Sequence, residues 1–104
     1  MLGLEIVGGR QVLKVEVDKL DSAAAPRFKA AFREKVGSAA EDVLLDLGRV
    51  SFVDSAGIGV LVGCLKLLEP PRQLVLVNVS PTVRRVLSLT RMDRVFRIED
   101  SAVA

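Results

Sequence analysis

The chain has 104 residues and a formal net charge of +2 at pH 7, a length typical of one domain that buries a core without disulfides or a metal. It contains no histidine and one cysteine, Cys64, so the commonest general base is missing and metal-ligating side chains are scarce. This composition argues against a zinc site. We expect no cofactor and a buried, reduced thiol at Cys64, which lies within an apolar segment.

The 15 basic and 13 acidic residues nearly balance, and no aromatic–basic pattern typical of nucleic-acid binding accompanies them. The amino terminus lacks the basic-then-apolar order of a signal peptide. The longest apolar run is too short, and too interrupted by glycine, to span a bilayer. We therefore expect a cytoplasmic protein that makes no direct contact with nucleic acid and does not insert into a membrane.

The first part of the chain predicts a hairpin. Residues 4–7 and 12–17 alternate apolar with polar side chains, and Gly8-Gly9-Arg10 separates the two segments. Consecutive glycines favour the tight turn that joins antiparallel strands. Two antiparallel strands are therefore expected at the start of the fold.

The next segment predicts a helix. Apolar side chains recur at every third or fourth position over residues 24–36, with charged side chains between them. Asp21 or Ser22 can cap this helix, and Pro26 is tolerated because the first turn has no intrahelical N–H bonds to lose. Gly37 is expected to end it.

The rest of the chain alternates short apolar runs with longer ones. Short runs predict strands at residues 43–47, 74–77 and 95–98. A longer apolar segment begins after Ser55 and continues to Leu68, which predicts a helix that stops before Pro70-Pro71. Ser80 followed by Pro81 is a typical helix start, with a capping residue before a proline at the first helical position.

Strands that alternate with helices after an opening hairpin predict a single α/β domain over residues 1–104, with a mostly parallel sheet and helices packed on it. In such sheets, partners and ligands meet the loops at the carboxyl ends of the strands. Three loops should converge there, at residues 18–22, 48–55 and 78–81. We therefore expect one rim that carries four polar residues, Asp21, Ser22, Asp54 and Ser55.

The Asp54-Ser55 junction admits three interpretations. Ser55 could be a helix N-cap, with Asp54 complementing the positive helix end. A hydrolase nucleophile is disfavoured because the motif lacks its first glycine and the chain has no histidine to accept the proton. Ser55 could instead accept a phosphate, because free N–H groups and the helix dipole favour negative charge at this position.

The second helix contains glycines at positions 57, 59 and 63. Close packing of the helix on the sheet is the expected reason for Gly59 and Gly63, since each glycine weakens a helix by up to ~1 kcal/mol relative to alanine. Gly57 could also let a partner backbone approach the junction. Ile58 fits either the core or the rim.

Several segments together resemble one family. The series Leu45-Asp46-Leu47, then Val50-Ser51-Phe52-Val53-Asp54-Ser55-Ala56-Gly57-Ile58-Gly59-Val60-Leu61, is similar to the signature of the STAS-domain anti-sigma factor antagonists. Leu20-Asp21 and the segment from Val79 to Phe96 also match that pattern. Ala56 stands where many members have serine or threonine, which leaves Ser55 as the acceptor in this turn.

The resemblance implies a non-enzymatic bacterial switch protein. In that family the unphosphorylated form binds an anti-sigma factor that is also a serine kinase, and so releases the sigma factor. The kinase phosphorylates the serine that matches Ser55, and a serine phosphatase reverses the reaction. Our hypothesis assigns the acceptor role to Ser55 and partner contacts to the surrounding rim, namely Asp21, Ser22, Asp54, Ala56, Gly57 and Ile58.

Two other functions remain open at the level of the sequence. STAS domains also serve as constitutive subunits of lipid-transport ABC complexes or signalling scaffolds, in which the serine is structural. Members of the family have also been proposed to bind nucleotides, but this chain has no G-x-x-x-x-G-K-[ST] loop for phosphates.

Overall fold

A computed structural model describes residues 1–36 and 41–101. The strands are β1 (Leu2–Val7), β2 (Arg10–Val15), β3 (Lys19–Leu20), β4 (Val43–Asp46), β5 (Phe52–Val53), β6 (Leu74–Val77) and β7 (Arg97–Glu99). The helices are α1 (Ala25–Val36), α2 (Ser55–Lys66) and α3 (Pro81–Leu89), with a 3₁₀ turn at Met92–Arg94. The main sheet has the order β1-β2-β4-β6-β7, and β3 pairs with β5 separately.

The opening hairpin is confirmed. Strand β1 runs antiparallel to β2, whereas the other neighbours in the main sheet are parallel. Gly8 and Gly9 have φ angles of 57° and 80°, the left-handed backbone that a tight hairpin turn requires and that glycine adopts without steric cost. The second strand ends at Val15, two residues before the predicted end.

The helices cover one face of the main sheet. Alternate residues of the central strands point to this face and join the aromatic side chains of α1 in one core, which includes Leu13, Val15, Phe28, Phe32, Leu45, Leu61, Leu74, Leu76 and Leu87. The rings of Phe28 and Phe32 stack with their centroids 6.5 Å apart. The expected α/β layer structure with helices packed on a mostly parallel sheet is therefore confirmed.

The opposite face of the sheet carries a smaller apolar cluster formed by Val12, Leu44, Val75 and Val77. On this face the guanidinium of Arg10 lies 3.2 Å from the carboxylate of Glu99. Strands β4 and β6 separate the strands that carry these two side chains, a spacing of roughly 14 Å in a flat sheet. The two long side chains therefore reach towards each other across this cluster and link β2 to β7.

The start of α1 is close to the prediction. Asp21, rather than Ser22, accepts a hydrogen bond from the backbone N–H of Ala24 at 3.0 Å. Pro26 is the second residue of the helix, where it displaces no intrahelical bond. The predicted helix stop at Gly37 lies outside the described residues.

The carboxyl-terminal elements differ slightly from the prediction. Ser80 caps α3 by accepting from the N–H of Val83 at 3.3 Å, as expected. The last strand begins at Arg97 instead of residue 95, because the N–H of Phe96 still donates to the carbonyl of Met92. Phe96 is buried in the core although it precedes the strand.

The Cys64 thiol is buried in α2, as expected. Burial raises the pKa of Cys64 from 9.0 to about 12, against a smaller opposing effect of the nearby Lys29 charge. Since the thiolate is the reactive form, the folded protein should react slowly with a disulfide reagent such as DTNB at pH 8. Rapid reaction is expected after unfolding in urea. Equal rates with and without urea, measured by absorbance, would contradict this assignment.

Candidate functional site

The first two predicted loops meet through a short parallel strand pair that the sequence pattern did not predict. In this pair β3 lies beside β5, with Lys19 opposite Phe52 and Leu20 opposite Val53. The backbone N–H groups of Ser51 and Phe52 both donate to the carbonyl of Asp18, at 2.8 and 3.2 Å. Each strand has only two residues, too few for an alternating pattern to be recognised.

The first turn of α2 rests directly on β3. A side chain at Gly57 would overlap the carbonyl oxygen of Leu20 and would lie 2.6 Å from Cγ2 of Val53. Gly57 is buried, so its lack of a side chain serves this internal contact. That Gly57 contacts a partner remains a prediction, and little of its surface is exposed.

The other two glycines of α2 have different surroundings. A Cβ at Gly59 would meet no atom within 4 Å, and Gly59 is exposed. The expectation that Gly59 permits close helix–sheet packing is therefore wrong. At Gly63 the nearest neighbour is the side chain of Lys29 on α1, whose Nζ would lie 3.3 Å from an added Cβ.

Asp54 is the N-cap of α2. Its Oδ1 accepts a hydrogen bond from the N–H of Gly57 at 2.9 Å, and its carbonyl accepts from the N–H of Ile58. Ser55 is the first residue of the helix, so the interpretation of Ser55 as the cap is wrong. The Ser55 side chain is exposed, and its hydroxyl has no hydrogen-bond partner among residues 1–36 and 41–101.

The structure brings the first loop and the Asp54-Ser55 junction together. The N–H of Asp54 approaches the carbonyl of Leu20 at 3.5 Å, which places Asp21 beside the start of α2. The predicted residues differ in exposure: Ser22 and Ser55 are exposed, and Asp21, Asp54, Ala56 and Ile58 are partly exposed. From here on the name rim means these six residues, which include the acceptor Ser55 and leave out the buried Gly57.

Phe52 also belongs beside the rim, and the sequence analysis did not single it out. It lies three residues before Ser55 in β5, and 45% of its surface is exposed. The only sequence signal was an aromatic residue next to a polar junction in a chain with four aromatic residues. Exposed aromatic side chains often anchor protein interfaces.

The third predicted loop, residues 78–81, is hydrogen-bonded to the second loop, residues 48–55, and to the end of the strand before it. Asp46 is almost completely buried, and its carboxylate accepts from the N–H of Gly48 at 2.8 Å and from the side-chain amide of Asn78 at 3.0 Å. The hydroxyl of Ser80 donates to the carbonyl of Val50 at 3.2 Å. These bonds hold the loop that leads to Ser55, and none of them involves Asp54 or Ser55.

The rim residues are exposed or partly exposed. A cavity of about 660 Å³ lies elsewhere, between the hairpin and the carboxyl end of α1, and none of the rim residues lines it. Within the described ranges, no cluster of three or more potential metal-ligating acidic or cysteine side chains occurs. No helix in the same ranges has the length and apolar character needed to cross a bilayer.

Comparison with known proteins identifies the family. The STAS domain family model matches residues 5–103, which is nearly the whole chain. This chain belongs to the STAS domain family. The resemblance inferred from the sequence is thereby confirmed, and the mostly parallel sheet with its helices is the fold of a STAS domain.

The relatives of this STAS domain carry regulatory names. It is 30% identical over 105 residues to BtrV of Bordetella bronchiseptica, named as a proposed anti-sigma factor antagonist, covering 88% of this chain and 90% of BtrV. It is 33% identical over 85 residues to the anti-sigma-B factor antagonist of Listeria monocytogenes, covering 79% and 73% of the two chains. The structure of unphosphorylated SpoIIAA, an anti-sigma factor antagonist from Bacillus, aligns with a TM-score of 0.65 at 25% identity. The alignment covers 98% of this chain and 90% of SpoIIAA.

Replacing Gly57 with alanine tests the contact beneath the rim. Because the added methyl group would collide with backbone atoms of Leu20, we expect Gly57→Ala to lower the free energy of unfolding by about 3 kcal/mol. The matched control is Gly59→Ala, which should leave stability unchanged or raise it by about 0.5–1 kcal/mol through helix propensity. Urea denaturation followed by circular dichroism measures both. Similar effects of the two substitutions would contradict the contact.

Proposed function

We propose that this STAS domain is an anti-sigma factor antagonist whose rim binds an anti-sigma factor with serine kinase activity. Binding releases the sigma factor, and phosphorylation of Ser55 by the same kinase switches binding off. A serine phosphatase restores the active form in the bacterial cytoplasm. The family match and the names of the relatives support the general role. The kinase, the phosphatase and the assignment of Ser55 are our proposals.

The observation that carries the proposal is the free hydroxyl of Ser55. Because Asp54 takes the capping position, the serine side chain is not needed to begin α2. A kinase requires a hydroxyl that is exposed and unengaged, and Ser55 has both properties. The alternative of a structural serine is less well supported, since the hydroxyl makes no hydrogen bond within the described part of the chain.

A phosphate at Ser55 fits the local electrostatics. The N–H groups of Ser55 and Ala56 have no hydrogen-bond partner among the described residues, as is usual in the first turn of a helix. Together with the helix dipole they favour a negative group at this position. The added charge should therefore leave the fold intact and act mainly on whatever docks at the rim.

The chemistry of the rim supports a protein partner. Phe52, Ala56 and Ile58 offer apolar surface next to the carboxylates of Asp21 and Asp54. An apolar patch of this kind with a charged margin is typical of protein interfaces. A phosphate of about −1.5 to −2 charge beside Asp54 would place uncompensated negative charge within that interface.

Phosphorylation itself is the first test. Incubation with ATP and a candidate anti-sigma factor kinase should add one phosphate to the protein, detected by intact mass and mapped to Ser55 by fragmentation. Ser55→Ala should accept none. Ser51→Ala is the matched control, because Ser51 is exposed in the same loop but donates its hydroxyl to the carbonyl of Asp18. Stoichiometric phosphate on any other residue would refute the assignment.

Charge at position 55 should weaken partner binding without unfolding the protein. If Ser55→Asp costs about 3 kcal/mol at the interface, the dissociation constant rises roughly a hundredfold. Ser88→Asp adds the same charge on the exposed surface of α3 and should leave affinity unchanged. Calorimetry measures affinity, and thermal melting should show nearly equal midpoints for both variants and the original protein. Equal loss of affinity in both variants would argue against a docking role for the rim.

A further inference from the structure

Strand β1 forms an unprotected edge of the main sheet. It pairs with β2 on one side, and no strand formed by residues 1–36 or 41–101 pairs with its other side. Leu4 and Ile6 on this strand are 57% and 63% exposed. A six-residue edge strand with exposed apolar side chains is a template for pairing with another strand.

The free backbone groups of β1 belong to alternate residues. The N–H of Glu16 donates to the carbonyl of Met1, so Met1 directs its backbone groups towards β2. Because these groups alternate in direction along a strand, those of Leu2, Leu4 and Ile6 point to the open side. Leu4 and Ile6, whose apolar side chains are exposed, therefore also direct backbone donors and acceptors to the open side, whereas Leu2 is buried.

The opposite edge of the sheet is protected. Strand β7 has only three residues, and two of them form an ion pair in which Arg97 Nε lies 3.2 Å from Glu99 Oε2. Short length and charged side chains are the usual ways in which proteins prevent pairing at an edge. The single ionisable side chain within β1 is Glu5. Pairing is thus favoured at one edge and disfavoured at the other.

We propose that β1 pairs with β1 of a second copy of this chain, in antiparallel orientation about a two-fold axis at Leu4. This register places Leu4 opposite Leu4 of the second copy, Leu2 opposite Ile6, and Gly3 opposite Glu5. Each opposed pair among Leu2, Leu4 and Ile6 then exchanges two N–H···O bonds. The two main sheets become one continuous sheet, and the pairing uses no residue of the rim.

The extent of pairing and the charge of Glu5 together select this register. Opposed residues must share a face of the sheet, so the neighbouring two-fold axes lie at Gly3 and at Glu5. An axis at Gly3 would pair only residues 2–4 of the two β1 strands and leave Ile6 outside the pairing, so the axis at Glu5 is the remaining alternative. That alternative would set the two Glu5 carboxylates directly opposite each other, and like charges in this position are destabilising. The axis at Leu4 instead places each Glu5 opposite a glycine and joins the apolar side chains of both copies.

The expected dimer is weak because pairing of two edge strands buries less surface than a standard protein interface. Sedimentation equilibrium from about 5 μM to about 1 mM should show a monomer–dimer equilibrium with a dissociation constant on the order of tens of micromolar. The double variant Leu4→Lys/Ile6→Lys should raise this constant at least tenfold and keep its thermal midpoint, since both side chains are exposed. The matched control is Leu89→Lys, at a residue that is 74% exposed on α3, and it should dimerise normally. A monomer at about 1 mM, or a dimer that survives the double substitution, would overturn the proposal.

Cysteine cross-linking tests the register. With the axis at Leu4, the two Leu4→Cys side chains face each other at a Cα separation of about 5.5 Å, within reach of a disulfide. The two Ile6→Cys side chains would then lie roughly 14 Å apart along the strands. Oxidation should therefore cross-link Leu4→Cys and not Ile6→Cys, while the buried Cys64 stays reduced. Equal cross-linking of both variants would overturn the proposed pairing.

Discussion

The close contact between Gly57 and the carbonyl of Leu20 is the constraint on which the rim depends. Because position 57 carries no side chain, the first turn of α2 lies directly on β3, and β3 in turn pairs with β5. Two loops that are about thirty residues apart in the chain are thus joined at the start of one helix. The buried carboxylate of Asp46 accepts hydrogen bonds from Gly48 and Asn78, and it thereby holds the beginning of the second loop, residues 48–55.

The division of roles between Asp54 and Ser55 would let the proposed phosphorylation act without a change of fold. Asp54 satisfies the N–H of Gly57 and begins the helix, which leaves the Ser55 hydroxyl outside the hydrogen-bonding pattern. A negative group at that position gains from the helix dipole. Modification would therefore alter the charge that a partner meets while the core, which includes Leu61 on the inner side of the same helix, remains undisturbed.

The sequence predicted the fold where local patterns are long or use distinctive residues. The glycines of the hairpin, the pair Ser80-Pro81 and the apolar runs of β4 and β6 each specify one local structure. The family resemblance rested on the segment around Ser55, and the match over residues 5–103 confirms it. Prediction was weaker for β3 and β5, because two-residue strands are stabilised by their partner and not by their own sequence.

The sequence by itself determined that a small α/β domain would present a serine at a strand-to-helix junction, because periodicity and turn residues act over a few neighbouring positions. Only the tertiary structure decided that Asp54 is the cap, that Gly57 is buried while Gly59 is exposed, and that Phe52 lies at the surface. Asp54 and Ser55 are both good capping residues, and a glycine looks the same in sequence whether or not a carbonyl lies against it. Those distinctions depend on atoms from distant parts of the chain, which local patterns do not contain.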